Sequence, residues 1–474
     1  MDDYSSYDGV GLAELVAKGK VSPAELTEAA IARVEQHNPT LNAVVFKGYD
    51  DARKQAAGAL PEGPFKGVPF LIKDLAMPVA GWPRTSGSRY TRGFVDAQDG
   101  GLTARYRASG AVLLGKTNTP EYGITGTTES GALGPCRNPW NPAHISGGSS
   151  GGSASAVAAG IVPLAHASDG LGSIRIPAAC CGLVGLKVTR DRVPNLPDGY
   201  DYAFGNVVDH VVSRTVRDSA VMLDATGNPE PNAPYPAPPK DRPYAEEVLR
   251  SPGKLRIAFS SETPNGRPID AEIEAALQRT ATLLKRLGHE VIERGLGIDY
   301  RALYASRGAA SAGNFAAGMA RLADELGREP EPDELEPLTW AILKAGKRQT
   351  GADVMRSLQE TRMLNYKTLA AFSDIDVYLC PVMGQPVPEI GYVDPVNVEP
   401  REINKRQGRL YPFTPPFNFS GQPSMSLPLE VDAKGLPIGM MFTSKFADEA
   451  TLFRLAAQLE KEAPWRGRKP QVWG

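Results

Sequence analysis

The chain has 474 residues, 42% hydrophobic and 22% charged, with 52 Lys and Arg against 54 Asp and Glu and a formal net charge of −2. That balance offers no broad electrostatic attraction to nucleic acid or an anionic membrane, and no run of about 18 apolar residues is present to cross a bilayer. The 49 glycines and 41 prolines are spread through patterned segments, so ordered loops rather than disorder are expected. The acidic start MDDYSSYDGVG has no apolar signal region, and a cytoplasmic location is expected. The four cysteines, among them the neighbours Cys180 and Cys181, lie among core-like residues without a zinc spacing and read as reduced, buried thiols.

In chain order, Ser22-Pro23-Ala24-Glu25 reads as a capping box with proline at the first helical position, opening a helix that runs to about Gln36. A short strand follows at 41–46. PFKGVPFLIKDL, at 64–75, is a loop entering a buried strand with Lys73 at its end. Residues 102–116 read as a helix leading into the strand AVLLGK, and the alanine-rich 153–160 as a closely packed helix. Later come a strand at 256–260, a helix from about Asp270 to Leu287 and a strand at 289–293. The segments 376–382 and 424–431 read as central or near-central strands. Strands alternating with helices predict an α/β fold: one large, twisted, mostly parallel mixed sheet with helices on both faces. The stretches 228–244 and 328–337 read as surface connections rather than domain boundaries.

Two motif matches carry little. Gly110-Ala-Val-Leu-Leu-Gly115-Lys116-Thr117 fits the P-loop expression, but its AVLL interior belongs in a buried strand and Pro120 breaks the helix that should follow. Gly147-Gly-Ser149-Ser-Gly151 fits a nucleophile elbow, yet RNPWNPAHIS before it cannot be a central strand. None of the later histidines has a distinctive setting. His166 reads as a core residue and His289 as a helix C-cap.

Lys73 is the stronger lead. A lone lysine more often ends on the surface, here beside Asp74, but the preceding VPFLI argues against exposure. Desolvation lowers a lysine's pKa, and a neutral amine can accept a proton. Ser149 sits in SGGSSGGS, placed between NPWNP and an alanine-rich stretch where a flexible linker is out of place. Ser173 follows Gly170-Leu171-Gly172, a turn whose bare N–H groups suit an oxyanion hole. A Ser–Lys pair is an established variant of triad chemistry.

These pieces, in this order, resemble the amidase signature family. The dense match runs from KDL (73–75) through GKTNTPE (115–121), RNPWNP (137–142), GGSSGGS (147–153) and SDGLGSIRIPA (168–178) to GLVGLK (182–187). Weaker agreement covers nearly all the rest. The resemblance implies one amidase domain over 1–474, with its signature core at about 65–190. It implies that Ser173 is the nucleophile, that Ser149, after a cis peptide bond, relays protons, and that Lys73 is the base. The N–H groups of Gly170, Leu171, Gly172 and Ser173 would hold the oxyanion, with Asp169 and Arg175 bracing their loop. By position, Ile124 and Thr125 would line the pocket, and 310–345, including Trp340, would supply a wall or lid.

Many family members carry two adjacent glycines before the nucleophile. Here Leu171 takes one of those places, which should reshape the acyl side without removing a backbone donor. That substitution and the course PEIG…TPPFN…GQP most resemble members acting on cyclic 6-aminohexanoate dimers. The expected substrate is a small, uncharged or apolar amide, with aryl acylamides and carbamates also open. No metal or organic cofactor, nucleic acid or membrane partner is expected, and a homodimer stays open. The rival reading is the amidotransferase subunit of a tRNA-dependent complex.

Overall fold

The computed structural model describes residues 3–194, 203–228, 230, 232–233, 235–263 and 265–474. Its frame is an 11-stranded sheet. The strands are β1 (Val44–Lys47), β2 (Pro69–Lys73), β3 (Val112–Thr117), β4 (Leu164–Asp169), β5 (Val184–Lys187), β6 (Val208–Ser213), β7 (Arg256–Phe259), β8 (Glu290–Glu293), β9 (Val377–Pro381), β10 (Ser424–Val431) and β11 (Pro437–Ser444). Their order across the sheet is β1-β3-β2-β4-β6-β5-β10-β11-β9-β7-β8, and helices flank it.

The sheet is mixed as expected, but it is not mostly parallel. β3–β2, β2–β4, β9–β7 and β7–β8 run parallel. The centre, β4-β6-β5-β10-β11-β9, is antiparallel throughout. Part of the reason is local: β10 and β11 form a hairpin across a turn in which Asp432 Oδ1 accepts from the N–H groups of Lys434 and Leu436. A hairpin needs only a few connecting residues, whereas parallel neighbours need a crossover.

β2 and β3 are buried along their whole length, which is why PFLIK and VLLGKT carry almost no polar alternation. The would-be P-loop is therefore β3 itself. The approach to Ser149 is a small separate ribbon, Arg137–Asn138 paired with Asn141–Ile145, outside the large sheet. The first long helix spans Pro23–Leu41, with the Ser22/Glu25 capping box formed, and it takes the first residue of the segment expected as strand 41–46. The helix expected at 153–160 spans Gly151–Ala158.

All four cysteines are free and buried. The segment 328–337 is only partly a surface connection: Glu336, near its end, is buried, and its Oε1 accepts from the Gly131 N–H at 2.9 Å. Residues 229, 231 and 234 of the other expected connection lie outside the described residues. A smaller apolar cluster gathers Tyr90, Met319, Leu335 and Leu343 with Tyr122, Phe315 and Trp340 beside the main core. Among the described residues, no helix is long and apolar enough to cross a membrane.

Candidate active site

The parallel neighbours β2 and β4 end side by side, and their carboxyl ends deliver the central groups, the usual place for a site in an α/β sheet. β2 ends in Lys73 and β4 in Ser168 and Asp169. Ser149 arrives from the turn before the helix Gly151–Ala158, after a cis Gly148–Ser149 peptide bond. Lys73 is completely buried, with Nζ 2.7 Å from Ser149 Oγ and 3.0 Å from Ser168 Oγ. Among the described residues no carboxylate forms an ion pair with it. Burial pushes its pKa down from an ordinary 10.5 to about 7, against the opposing pull of Asp209 and Asp169.

A second layer fixes the lysine. The Lys73 N–H donates to His166 Nδ1 at 3.2 Å, so that nitrogen carries no proton, and His166 Nε2–H donates to Asp209 Oδ1 at 3.0 Å. Burial lowers the His166 pKa and keeps the ring neutral, although Asp209 opposes the shift. His166 is thus a core residue, as its sequence suggests, but one bonded to the segment that carries the lysine.

Ser173 lies on the turn after β4 and is partly exposed; among the described residues its hydroxyl has no partner. Its carbonyl accepts from the Ser150 N–H at 3.3 Å, which ties the Ser173 turn to the Ser149 turn. Asp169 organises that turn. Its carboxylate accepts from the N–H groups of Gly172 at 2.6 Å and Ile174 at 3.2 Å, from Arg175 Nε and Nη2 at 2.9 and 3.0 Å, and from Asn418 Nδ2 at 2.8 Å. Burial alone would raise its pKa, but Arg175 and Asn418 hold it well below the usual carboxylate range. The bracing role that the resemblance implies for Asp169 and Arg175 is met by this geometry.

The resemblance also assigns Gly172 as an oxyanion donor, and here the structure differs, because that N–H is already donated to Asp169. The N–H groups of Gly170, Leu171 and Ser173 have no partner among the described residues. Gly172 is instead needed for its shape: its φ is +128°, and a Cβ there would come within 2.3 Å of Thr414 Oγ1. Leu171 is 50% exposed, with its carbonyl held by Thr414 Oγ1 at 2.6 Å, so its side chain is free to meet a ligand.

Of the expected pocket residues, Ile124 is partly exposed, while Thr125 is buried and its hydroxyl donates to Thr127 O at 2.9 Å. The sequence reading missed Gly123, with φ +68°, where a Cβ would lie 3.1 Å from Ser149 Oγ. That close approach brings 123–125 over the site. Trp340 does not reach the triad; its Nε1 donates to Pro332 O, and it packs in the small cluster. The link from that wall to the site is Phe315 against Tyr122, with ring centroids 5.9 Å apart. Ser168 was also missed, because nothing in SDGLGS marks a second hydroxyl partner for the lysine. Among the described residues no group of His, Cys, Asp or Glu has the arrangement of a metal site.

Fold and site together define an amide-hydrolase class of protein, in which a fully buried lysine bonds two serine hydroxyls. The family model described as Amidase matches residues 25–453, and the chain belongs to the amidase family. It is 38% identical over 485 aligned residues to the 6-aminohexanoate-cyclic-dimer hydrolase of Paenarthrobacter ureafaciens, covering 98% of this chain and 96% of the relative. A solved 6-aminohexanoate cyclic dimer hydrolase complexed with substrate superposes with a TM-score of 0.94 at 36% identity, over 100% of both chains. A bacterial aryl acylamidase of the amidase signature family superposes with a TM-score of 0.86 at 28% identity, over 98% of this chain and 99% of that one. The protein is an amidase, a hydrolase of amide bonds.

Proposed function

We propose that the enzyme hydrolyses small amides through an acyl-enzyme on Ser173, with Ser149 passing protons to and from Lys73. The observation that carries this reading is a fully buried lysine, poised near neutrality, 2.7 Å from the Ser149 hydroxyl. Ser173 Oγ bonds to the amide carbon as its proton moves to Ser149 Oγ and the Ser149 proton moves to Lys73 Nζ. The carbonyl oxygen becomes an oxyanion held by the N–H groups of Gly170, Leu171 and Ser173. Lys73 then returns a proton through Ser149 to the amide nitrogen, the C–N bond breaks and the amine leaves. Water attacks the acyl-enzyme with the same chain as base, releasing the carboxylic acid and restoring Ser173.

Leu171, Ile124 and the backbone over Ser149 present uncharged surfaces to the reacting amide. Cyclic or linear 6-aminohexanoate-type amides, aryl acylamides and carbamates are the substrates to try, since full-length relatives are named for the first and an aryl acylamidase shares the fold. The amidotransferase-subunit reading is not favoured, because relatives 37% and 38% identical to this chain are named as hydrolases of a cyclic amide, whereas a glutamyl-tRNA amidotransferase subunit of the same fold is 24% identical. The test is a panel of an anilide, a primary carboxamide, the cyclic 6-aminohexanoate dimer, a carbamate and glutamine, given to the purified chain alone. Turnover of a member other than glutamine, abolished in Ser173→Ala, together with an acyl mass on the Ser173 peptide, is expected. Hydrolysis retained by a folded Ser173→Ala, or glutamine as the only substrate, would overturn the proposal.

A further inference from the structure

Arg307 joins the helices Tyr300–Ser306 and Gly308–Leu326, just before the segment 310–345 expected to supply a wall or lid. It is 7% exposed. Among the described residues its guanidinium makes no hydrogen bond and no ion pair, and Nε is enclosed without an acceptor. The neighbouring charge makes this worse, since Arg190 lies close enough to repel it. What the side chain does touch is aromatic: the guanidinium carbon sits 5.2 Å from the Phe419 ring centroid and 5.9 Å from that of Phe204.

Both rings belong to the frame of the nucleophile turn. Phe419 follows Asn418, whose Nδ2 donates to the Asp169 carbonyl, the Asp169 carboxylate and the Asn206 carbonyl. Phe204 lies just before Asn206 and Val207, and Val207 packs so closely on Gly170 that a Cβ there would come within 3.2 Å. Arg307 is therefore stacked on the wall that holds Gly170–Ser173. A buried guanidinium nitrogen left without an acceptor is costly, and native structures retain few of them. A stacked, pre-aligned guanidinium is also the best side chain for a planar, bidentate carboxylate.

We infer that Arg307 is a carboxylate-binding subsite, and that the enzyme's preferred amides carry a free carboxylate on the acyl or the amine portion, away from the scissile bond. The inference rests on the proposed amidase site, and it revises the expectation of an uncharged or apolar substrate. No sequence motif marks Arg307, because its isolation and its two aromatic platforms come from segments about 100 residues to either side. The carboxylate completes the guanidinium's hydrogen bonds, while Leu171 and Ile124 meet the apolar chain between it and the amide.

Two matched pairs test this and separate the two placements of the charge: 6-acetamidohexanoate against N-hexylacetamide for the amine side, and adipic acid monoanilide against hexananilide for the acyl side. In at least one pair the wild type should favour the carboxylate by about 10- to 100-fold in kcat/KM, the range for a charge-assisted hydrogen bond. The preference should collapse toward unity in Arg307→Gln, through KM for the charged member, and survive in part in Arg307→Lys. A merely structural arginine would instead lower kcat for both members together. Calorimetric binding of the same pairs to Ser173→Ala, and to Ser173→Ala with Arg307→Lys, reads the subsite without turnover. Equal affinity and equal kcat/KM within both pairs, or equal loss on both members in Arg307→Gln, would overturn the inference. Hydrolysis by Ser173→Ala would instead overturn the nucleophile and leave the subsite standing.

Discussion

Lys73 and Lys116 are both completely buried, one near the end of β2 and the other in the neighbouring strand β3, and their surroundings differ in one respect that decides their chemistry. Lys73 pairs laterally with Thr117 and Lys116 with Ile72, so alternation sends the two side chains to opposite faces of the sheet. On one face Lys73 meets two hydroxyls, Ser149 and Ser168. On the other Lys116 meets two carboxylates, Asp96 at 3.5 Å and Asp74 at 3.8 Å, with the Met77 carbonyl at 3.3 Å. Burial pushes both lysines down, and the acidic pair pulls Lys116 back toward its charged form. Burial alone does not make a base: a lysine beside carboxylates is a structural cation, and one beside hydroxyls can exchange protons with them.

Removing each lysine should therefore break different things. Lys73→Ala should lower amide kcat/KM by about 10²- to 10⁴-fold, the usual range for a lost general acid–base group. The loss should be smaller on an activated ester, whose leaving group needs no proton. Steady-state kinetics on an anilide and a p-nitrophenyl ester of the same acyl group measure this, and equal losses would count against the relay. Lys116→Met should leave the buried Asp74 without a cation, while Asp96 keeps Arg84 at 2.8 Å, and cost about 3–5 kcal/mol of stability, read by urea denaturation. The folded fraction of that variant should still hydrolyse amides. If Lys116→Met proved as stable as the wild type, the contrast between the two faces would fail. The finest test is Ser168→Ala, which removes one of the two hydroxyls from Lys73. About a tenfold fall in kcat/KM is expected, matching one neutral hydrogen bond, and an unchanged rate would show that Ser149 alone positions the amine.

The three groups of the proposed triad were legible in the sequence because each sits in a run that ordinary packing does not call for: an apolar strand ending in lysine, and two glycine-flanked serines. Lys116 was legible as a strand residue through its AVLL neighbours. What surrounds them was not. Ser168, Asp209 and Asn418 come to the site across strand pairings and loop contacts that no local pattern encodes. Gly172 looked like one more bare N–H in a turn, and only the position of the Asp169 carboxylate shows that this donor is spent. The mostly parallel sheet was an over-extension from the βα alternation at 256–293. The central strands β5 and β6 were not among the strands expected from the sequence, so their antiparallel pairing could not be read from it.

The central claim, that neutral Lys73 is the proton acceptor, is tested most directly by the pH dependence of kcat/KM for an amide in the wild type and in Asp209→Asn. Base catalysis needs the uncharged amine, so activity should rise with pH through an acidic limb near 7, the value that burial gives Lys73. Asp209 favours the charged amine. Its neutral replacement, still able to accept from His166 Nε2–H, should therefore move that limb to lower pH. A limb that stays in place or moves upward, or a flat profile across neutral pH, would contradict the assignment of Lys73 as the base.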